Sequence, residues 1–248
     1  DSVNKELWER FVHISRQEAE RTYARLGVEF DTWHGESFYN DDLPGVIEDL
    51  KTKGLARESD GAMVVFFPDG TGLEESPFLV QKSDGAFLYS TTDIATVIFR
   101  KREHKADRII YVVDVRQSLH FKQLFKTAEL MGHQARFEHV GFGMMLGADG
   151  RPFRTRDGGT VTLASLLDEA EERILPIVIE KWPNAAENEQ REIASKVGIG
   201  AVKYADLCQN LTTDYKFEWD KLLAADGNTG PYLQYTLVRI RSVLRQYE

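Results

Sequence analysis

Cysteine is nearly missing from this sequence of 248 residues; Cys208 is the only one. A single thiol excludes an internal disulfide framework and any multi-cysteine zinc site, and it agrees with a reducing compartment. Long apolar runs are missing too. None approaches the roughly 18 residues that a membrane helix requires. The opening Asp1-Ser2-Val3-Asn4-Lys5 lacks the basic-then-apolar order of a signal peptide. Positive charge is scarce, with 31 Lys and Arg against 40 Asp and Glu and a net charge of -9. Contacts to nucleic-acid phosphates need clustered cations, so any RNA contact must use local patches. Three exist: Arg100-Lys101-Arg102 with Lys105 and Arg108; Arg151 with Arg154 and Arg156; and Arg239, Arg241 and Arg245. Each reads equally as a solvated face. No internal repeat or low-complexity segment occurs. What is present, 42% hydrophobic and 29% charged residues, is the composition of a soluble globular chain forming one large domain or two small ones.

Apolar periodicity predicts a helix over ~4–25 closed by Gly27, then a short strand at Val28–Asp31. A helix follows over Leu43–Lys53, then paired strands at Ala62–Phe67 and Phe78–Val80. Phe87–Tyr89 reads as a strand running into a helix over ~93–103. Arg108–Asp114, five apolar residues between two charged ones, reads as a strand buried on both faces. Ser118 caps the next helix, Gly132 ends it, and Phe137–Val140 is another strand. Residues ~86–145 therefore read β-α-β-α-β, the order of a parallel sheet with helices on its faces. From ~162 the pattern is helical, interrupted at Pro176 and Pro183, with further helices at ~188–209 and ~229–247. Both ends of the chain break off inside helical patterns, which reads as cuts within a longer protein.

Ligands of parallel sheets sit at the C-terminal ends of the strands, so the candidate residues are those at such ends. Tyr89-Ser-Thr-Thr-Asp93 places an aromatic ring and a carboxylate four apart. A carboxylate accepts paired hydrogen bonds from a guanidinium, and a tyrosine adds cation–π or hydroxyl contacts, so the pair suits a flat cation. The competing reading makes Asp93 a helix cap and Tyr89 core. Asp114-Val-Arg-Gln117-Ser-Leu-His120 follows the most apolar strand; Gln117 can orient a polar group, and His120 stands in a first helical turn, where anions are favoured. The glycine-rich stretch Gly141 to Thr160 carries Arg151, Arg154 and Arg156 but has no P-loop spacing. Tyr232, Tyr235 and Arg239 share a helix face, suited either to stacking on bases or to helix packing.

Taken in order, Phe30-Asp31…Gly35-Glu-Ser-Phe-Tyr39, Glu58-Ser-Asp-Gly-Ala62, Gln81-Lys-Ser-Asp-Gly85, Leu88-Tyr-Ser-Thr-Thr-Asp-Ile-Ala95, Ile110-Tyr-Val-Val-Asp114…Gln117-Ser-Leu-His-Phe121, His139-Val-Gly-Phe-Gly143, Thr155-Arg156…Gly159-Thr-Val161 and Gly230-Pro-Tyr-Leu-Gln-Tyr235 resemble the arginyl-tRNA synthetases, a class I aminoacyl-tRNA synthetase family. The resemblance runs along nearly the whole chain. It implies an α/β fold, a parallel-sheet, Rossmann-like nucleotide-binding core of the class I synthetase type with a small α+β insertion and C-terminal helices. The implied divisions are 1–40 (core), 41–85 (insertion), 86–200 (second half of the core) and 201–248 (start of the anticodon-reading helical domain).

The implied activity is arginine–tRNA ligation. Arginine and ATP, with Mg2+, give arginyl-adenylate, and the arginyl group then passes to the 3′ end of tRNA(Arg), in a cytoplasmic enzyme that is monomeric and zinc-free. The resemblance carries over Tyr89, Asp93 and Gln117 as arginine ligands, and His120, Gly141, Phe142 and Gly143 as residues beside ATP. It further implies Arg154, Thr155 and Arg156 as the loop acting on phosphates, and Tyr232, Tyr235 and Arg239 as tRNA contacts. Two departures stand out. The six histidines (His13, His34, His104, His120, His133, His139) include no pair spaced three apart, so the class I H-x-G-H signature is absent. The Lys-Met-Ser-Lys loop reads Pro152-Phe-Arg-Thr155, with Thr155 in place of the second lysine, a loss that many members of the family share. Two rivals stay open: a non-catalytic paralogue that keeps the pocket, and an unrelated nucleotide-binding domain such as a nucleotidyltransferase. Contacts to the triphosphate supply much of such catalysis, so the isolated chain is expected to give no arginine-dependent pyrophosphate exchange with tRNA present. Detectable exchange would refute this expectation.

Overall fold

The computed structural model describes residues 2–147, 149–151 and 161–247. In chain order the helices are α1 (Ser2–Leu26), α2 (Leu43–Thr52), α3 (Tyr89–Arg102), α4 (Ser118–Leu130), α5 (Leu163–Lys181), α6 (Glu187–Leu207), α7 (Trp219–Leu222) and α8 (Gly230–Leu244). The strands are β1 (Ala56–Ser59), β2 (Ala62–Val65), β3 (Phe78–Gln81), β4 (Arg108–Asp114), β5 (Arg136–Phe142), β6 (Met145–Leu146) and β7 (Tyr215–Lys216). Single 3-10 turns cover Glu36–Asp42 and Val115–Gln117. The chain divides into two compact units, Thr32–Gly143 and Asp1–Asp31 with Met144–Glu248. No helix among the described residues is long and apolar enough to cross a membrane.

In the unit Thr32–Gly143, β4 pairs in parallel with β5 from Arg108↔Arg136 to Asp114↔Phe142. A parallel pair needs a crossover, and α4 supplies it. The register sets Arg108 opposite Arg136. Glu138 offsets that like-charge pairing by accepting from Arg108 Nε and Nη2 at 2.8 and 2.7 Å and meeting Arg136 Nε at 2.5 Å. The expectation of a strand buried on both faces is corrected here. Ile109 and Tyr111 are buried while Ile110 and Val112 are exposed, because the described residues cover one face of β4.

The expected strand Phe87–Tyr89 is also corrected. Only Phe87 makes a bridge, to Gln81, and the helix already begins at Tyr89. The cause lies on β3: Ser90 Oγ donates to the Leu79 carbonyl at 2.5 Å and Thr91 Oγ1 donates to that of Val80. These hydroxyls take up the β3 acceptors and bind the first turn of α3 to that strand. The order over ~86–145 is thus α-β-α-β.

The strands β1-β2-β3 form an antiparallel meander. Its first turn is Asp60-Gly61, both at positive φ (49 and 78°), the two-residue hairpin geometry that Asp-Gly favours. One core joins this meander to the rest of the unit: Leu50, Val65, Val80, Ile94, Val97 and Leu124 are fully buried within a single cluster.

In the other unit, α5 and α6 pack along each other through Leu167, Ala170, Ala201 and Val202. Pro176 does not interrupt the helix as expected; it lies inside α5. Ile174 and Val178, on either side of it, are buried with Ala194 of α6, and that packing holds the helical course across the missing N–H. Nor is Val28–Asp31 a strand. Gly27 (φ 65°) closes α1 with bonds from Gly27 N to Ala24 O and from Val28 N to Tyr23 O, and Phe30 then packs edge-on against Tyr23 at 5.1 Å.

Gly198 brings α6 close to the backbone of α5. A Cβ there would lie 2.8 Å from the backbone C and O of Ala170. At Gly200 the nearest atom is instead the flexible Gln234 side chain. Gly198→Ala is expected to destabilise this unit by about 1–3 kcal/mol through overpacking, and Gly200→Ala by less, as measured by urea unfolding. Equal effects, or a Gly198→Ala change below about 0.5 kcal/mol, would show that the helix crossing can relax.

Candidate functional site

The start of α3 carries the first two candidate residues. Tyr89 is its first residue and Asp93 follows one turn later. They therefore share a face of one helix by i,i+4 spacing, instead of meeting across a strand-to-helix corner. The first turn of α4 brings the third. His120 Nε2 lies 2.7 Å from Asp93 Oδ2. Its ring is flanked by Tyr89 (centroids 4.9 Å apart), Phe78 (5.3 Å) and Phe121 (5.2 Å). The His120 side chain is 11% exposed and that of Asp93 29%, whereas Tyr89 is 62% exposed. The arrangement is a ring open to solvent beside a carboxylate that has one oxygen tied down.

The ends of β4 and β5 lie side by side. Asp114 closes β4 and caps the turn Val115–Gln117. Its Oδ1 accepts from Arg116 N at 2.8 Å and from Arg116 Nε at 2.9 Å, and its Oδ2 accepts from Nη2 at 2.6 Å. Those bonds, the guanidinium's first and the backbone N–H next, hold the Asp114 carboxyl down at about 2. Gln117 is exposed between this turn and α4. On β5, Gly141 meets the turn so closely that a Cβ would sit 3.1 Å from Val115 Cα. Phe142 pairs with Asp114 and is exposed, and Gly143 follows. His139 Nε2, further back on β5, lies 2.9 Å from the Val113 carbonyl oxygen.

The structure thus brings together Tyr89, Asp93 and His120, and puts Gln117 and Gly141–Gly143 at the C-terminal ends of one parallel strand pair. Arg154, Thr155 and Arg156 lie outside the described residues. Tyr232, Tyr235 and Arg239 are on α8, in the other unit. Both tyrosines are exposed, and Arg239 Nη1 donates to Tyr235 Oη at 3.0 Å. The contact of α8 with α6 runs through Gly230 and Gln234 instead; Gln234 Nε2 donates to Lys196 O.

Sequence reading missed two partners. Nothing in a 27-residue separation signals the His120–Asp93 contact. Phe78, in the meander, carried no motif. Two hollows among the described residues lie elsewhere: one of about 360 Å³ lined by His34, Tyr39, Phe99, Arg100 and His104, and one of about 150 Å³ lined by Tyr204, Cys208, Tyr215 and Phe217. Neither includes the Tyr89–Asp93–His120 cluster. Among the described residues no group of three or more His, Cys, Asp or Glu is placed to hold a metal ion.

A folded-state midpoint held below the ordinary aspartate range means that the Asp114–Arg116 contact favours the folded chain above about pH 4. That contribution fades as the pH falls toward 2. Arg116→Ala is expected to move the Asp114 midpoint back toward the ordinary range, with the backbone N–H retaining part of the depression, as read by carboxyl-carbon NMR titration. A midpoint still near 2 in the variant would remove the guanidinium as the cause.

Comparison with known proteins places these residues in a wider set. The family model described as "tRNA synthetases class I (R), catalytic domain" matches residues 1–219. The chain is 52% identical over 249 residues to the arginine–tRNA ligase of Chromobacterium violaceum, covering 98% of this chain and 44% of that protein. It is 49% identical over 246 residues to the arginine–tRNA ligase of Fusobacterium nucleatum, covering 99% and 43%. Among solved structures it is similar to the arginyl-tRNA synthetase of Plasmodium falciparum, with a TM-score of 0.85 at 29% identity over 99% of this chain and 41% of that one. It is also similar to that of Thermus thermophilus, with a TM-score of 0.77 at 25% identity over 92% and 44%. The chain spans under half the length of these relatives.

Proposed function

Because the chain belongs to the class I arginyl-tRNA synthetase catalytic-domain family, we propose that the protein acts in arginine–tRNA ligation and that this chain supplies the arginine side of the site. The reaction is activation of arginine by ATP to arginyl-adenylate, then transfer of the arginyl group to the 3′ end of tRNA(Arg). The observation that carries the reading is the pairing of Tyr89 and Asp93 on one helix face, with the ring exposed and the carboxylate partly so. A guanidinium is planar and donates in a fork, so it can bond a carboxylate and lie against a tyrosine ring at once; a lysine ammonium offers neither the plane nor the fork.

Gln117, at the mouth of β4, suits the amino-acid end of the ligand. Gly141, Phe142 and Gly143 are assigned to the nucleotide: they stand at the C-terminal end of β5, the end of a parallel strand where ligands bind. Mg2+ would arrive with the triphosphate. Arg154, Thr155 and Arg156 are assigned to the phosphates, and Tyr232, Tyr235 and Arg239 to tRNA. A cytoplasmic, monomeric enzyme is the accompanying proposal.

Calorimetry with arginine and lysine tests the pocket. Arginine is expected to bind and lysine to bind at least tenfold more weakly. Asp93→Asn, which removes a charged acceptor, is expected to weaken arginine by about tenfold or more. Equal binding of the two amino acids, or an Asp93→Asn chain that binds arginine like the parent, would sink the reading.

A further inference from the structure

We propose that His120 is a positioning residue for arginine recognition. In this role it donates Nε2–H to Asp93 Oδ2 and so fixes the carboxylate plane with Oδ1 turned to the ligand. The inference rests on the reading of Tyr89 and Asp93 as the guanidinium socket and assigns it a third member.

Three observations carry it. The His120 Nε2 to Asp93 Oδ2 distance is 2.7 Å, within the range of a strong hydrogen bond to a carboxylate. The imidazole is enclosed by rings from three places: Phe78 of β3, Tyr89 of α3 and Phe121 of its own helix. At 11% side-chain exposure it belongs to the wall and is not a mobile plug occupying the socket. The same ring that holds the acid also abuts Tyr89, so one side chain sets the spacing of both guanidinium contacts. An aspartate on a helix face has χ2 freedom about its terminal bond; a bond to one oxygen removes that freedom before the ligand arrives. Pre-ordering of this kind raises affinity by lowering the entropy lost on binding.

His120→Gln and His120→Phe separate this role from ring packing. Glutamine keeps an N–H donor at a similar reach; phenylalanine keeps the ring and loses the donor. With the 248-residue chain, calorimetric arginine affinity is expected to stay within about threefold of the parent in His120→Gln and to fall about tenfold in His120→Phe, the scale of one charge-assisted hydrogen bond. Rescue by glutamine is the outcome that a purely structural role would not give. If His120→Phe binds arginine like the parent, or if folded His120→Gln loses as much as His120→Phe, the positioning role is overturned.

A measurement on the unmutated chain decides the matter even where a variant fails to fold. Long-range proton–nitrogen NMR is expected to show His120 protonated at Nε2, with that resonance moving on arginine addition and on Asp93→Asn. A ring with bare Nε2 overturns the proposal. Parent chain that binds no arginine at all would count against the socket itself, whereas arginine binding that depends on Asp93 but not on His120 would count against the positioning role alone.

Discussion

The grip of two hydroxyls on two carbonyls sets the geometry of the candidate site. Ser90 and Thr91, both buried in the first turn of α3, donate to Leu79 and Val80 of β3. Buried strand carbonyls need donors, and here side chains supply them where a neighbouring strand would otherwise have done so. The consequence reaches further than satisfaction of hydrogen bonds. It starts the helix at Tyr89, which places Asp93 one turn along on the same face, and that face meets His120 of α4, whose ring in turn packs on Phe78 of the strand.

The two acids of the site region are handled in opposite ways. Asp114 is saturated: three donors of Arg116 occupy both of its oxygens, and its charge serves to hold the turn Val115–Gln117 that carries the chain from β4 into α4. Asp93 has one oxygen engaged by His120. A carboxylate already bound on both oxygens by a guanidinium offers little to a second one, so Asp114 suits a scaffold role and Asp93 a ligand role, although both sit near the ends of elements where parallel sheets bind their ligands. Close backbone approach does the remaining positioning: Gly141 packs on Val115 and keeps the ends of β4 and β5 flush.

In the other unit, small residues perform the corresponding work without charge. Gly198 lets α6 approach the backbone of α5, and Gly230 lets the start of α8 approach Gly200 and Ala201. These crossings leave the Tyr232 and Tyr235 face of α8 exposed. Packing at the helix start, not an apolar stripe along its length, fixes α8.

Much was legible in the residues alone. The ordered motifs carried a resemblance to the synthetase family, while the helical spans and the glycine stops at Gly27 and Gly132 follow from short-range physics: period, caps and left-handed glycines (Gly27 φ 65°, Gly132 φ 91°). Such signals reside within a few neighbours and survive in a linear reading. Three things did not. Phe87–Tyr89 has strand composition, yet its helix start was decided by acceptors on a strand about ten residues earlier. Pro176 carries a helix-breaking signal, yet Ile174 and Val178 packing on Ala194 overrode it. The His120–Asp93 contact joins two helices 27 residues apart. Sequence by itself determined which residues carry charge, rings and turns; only tertiary structure decided which of them meet, because a hydrogen bond between distant segments depends on how whole elements pack and leaves no local pattern in the chain.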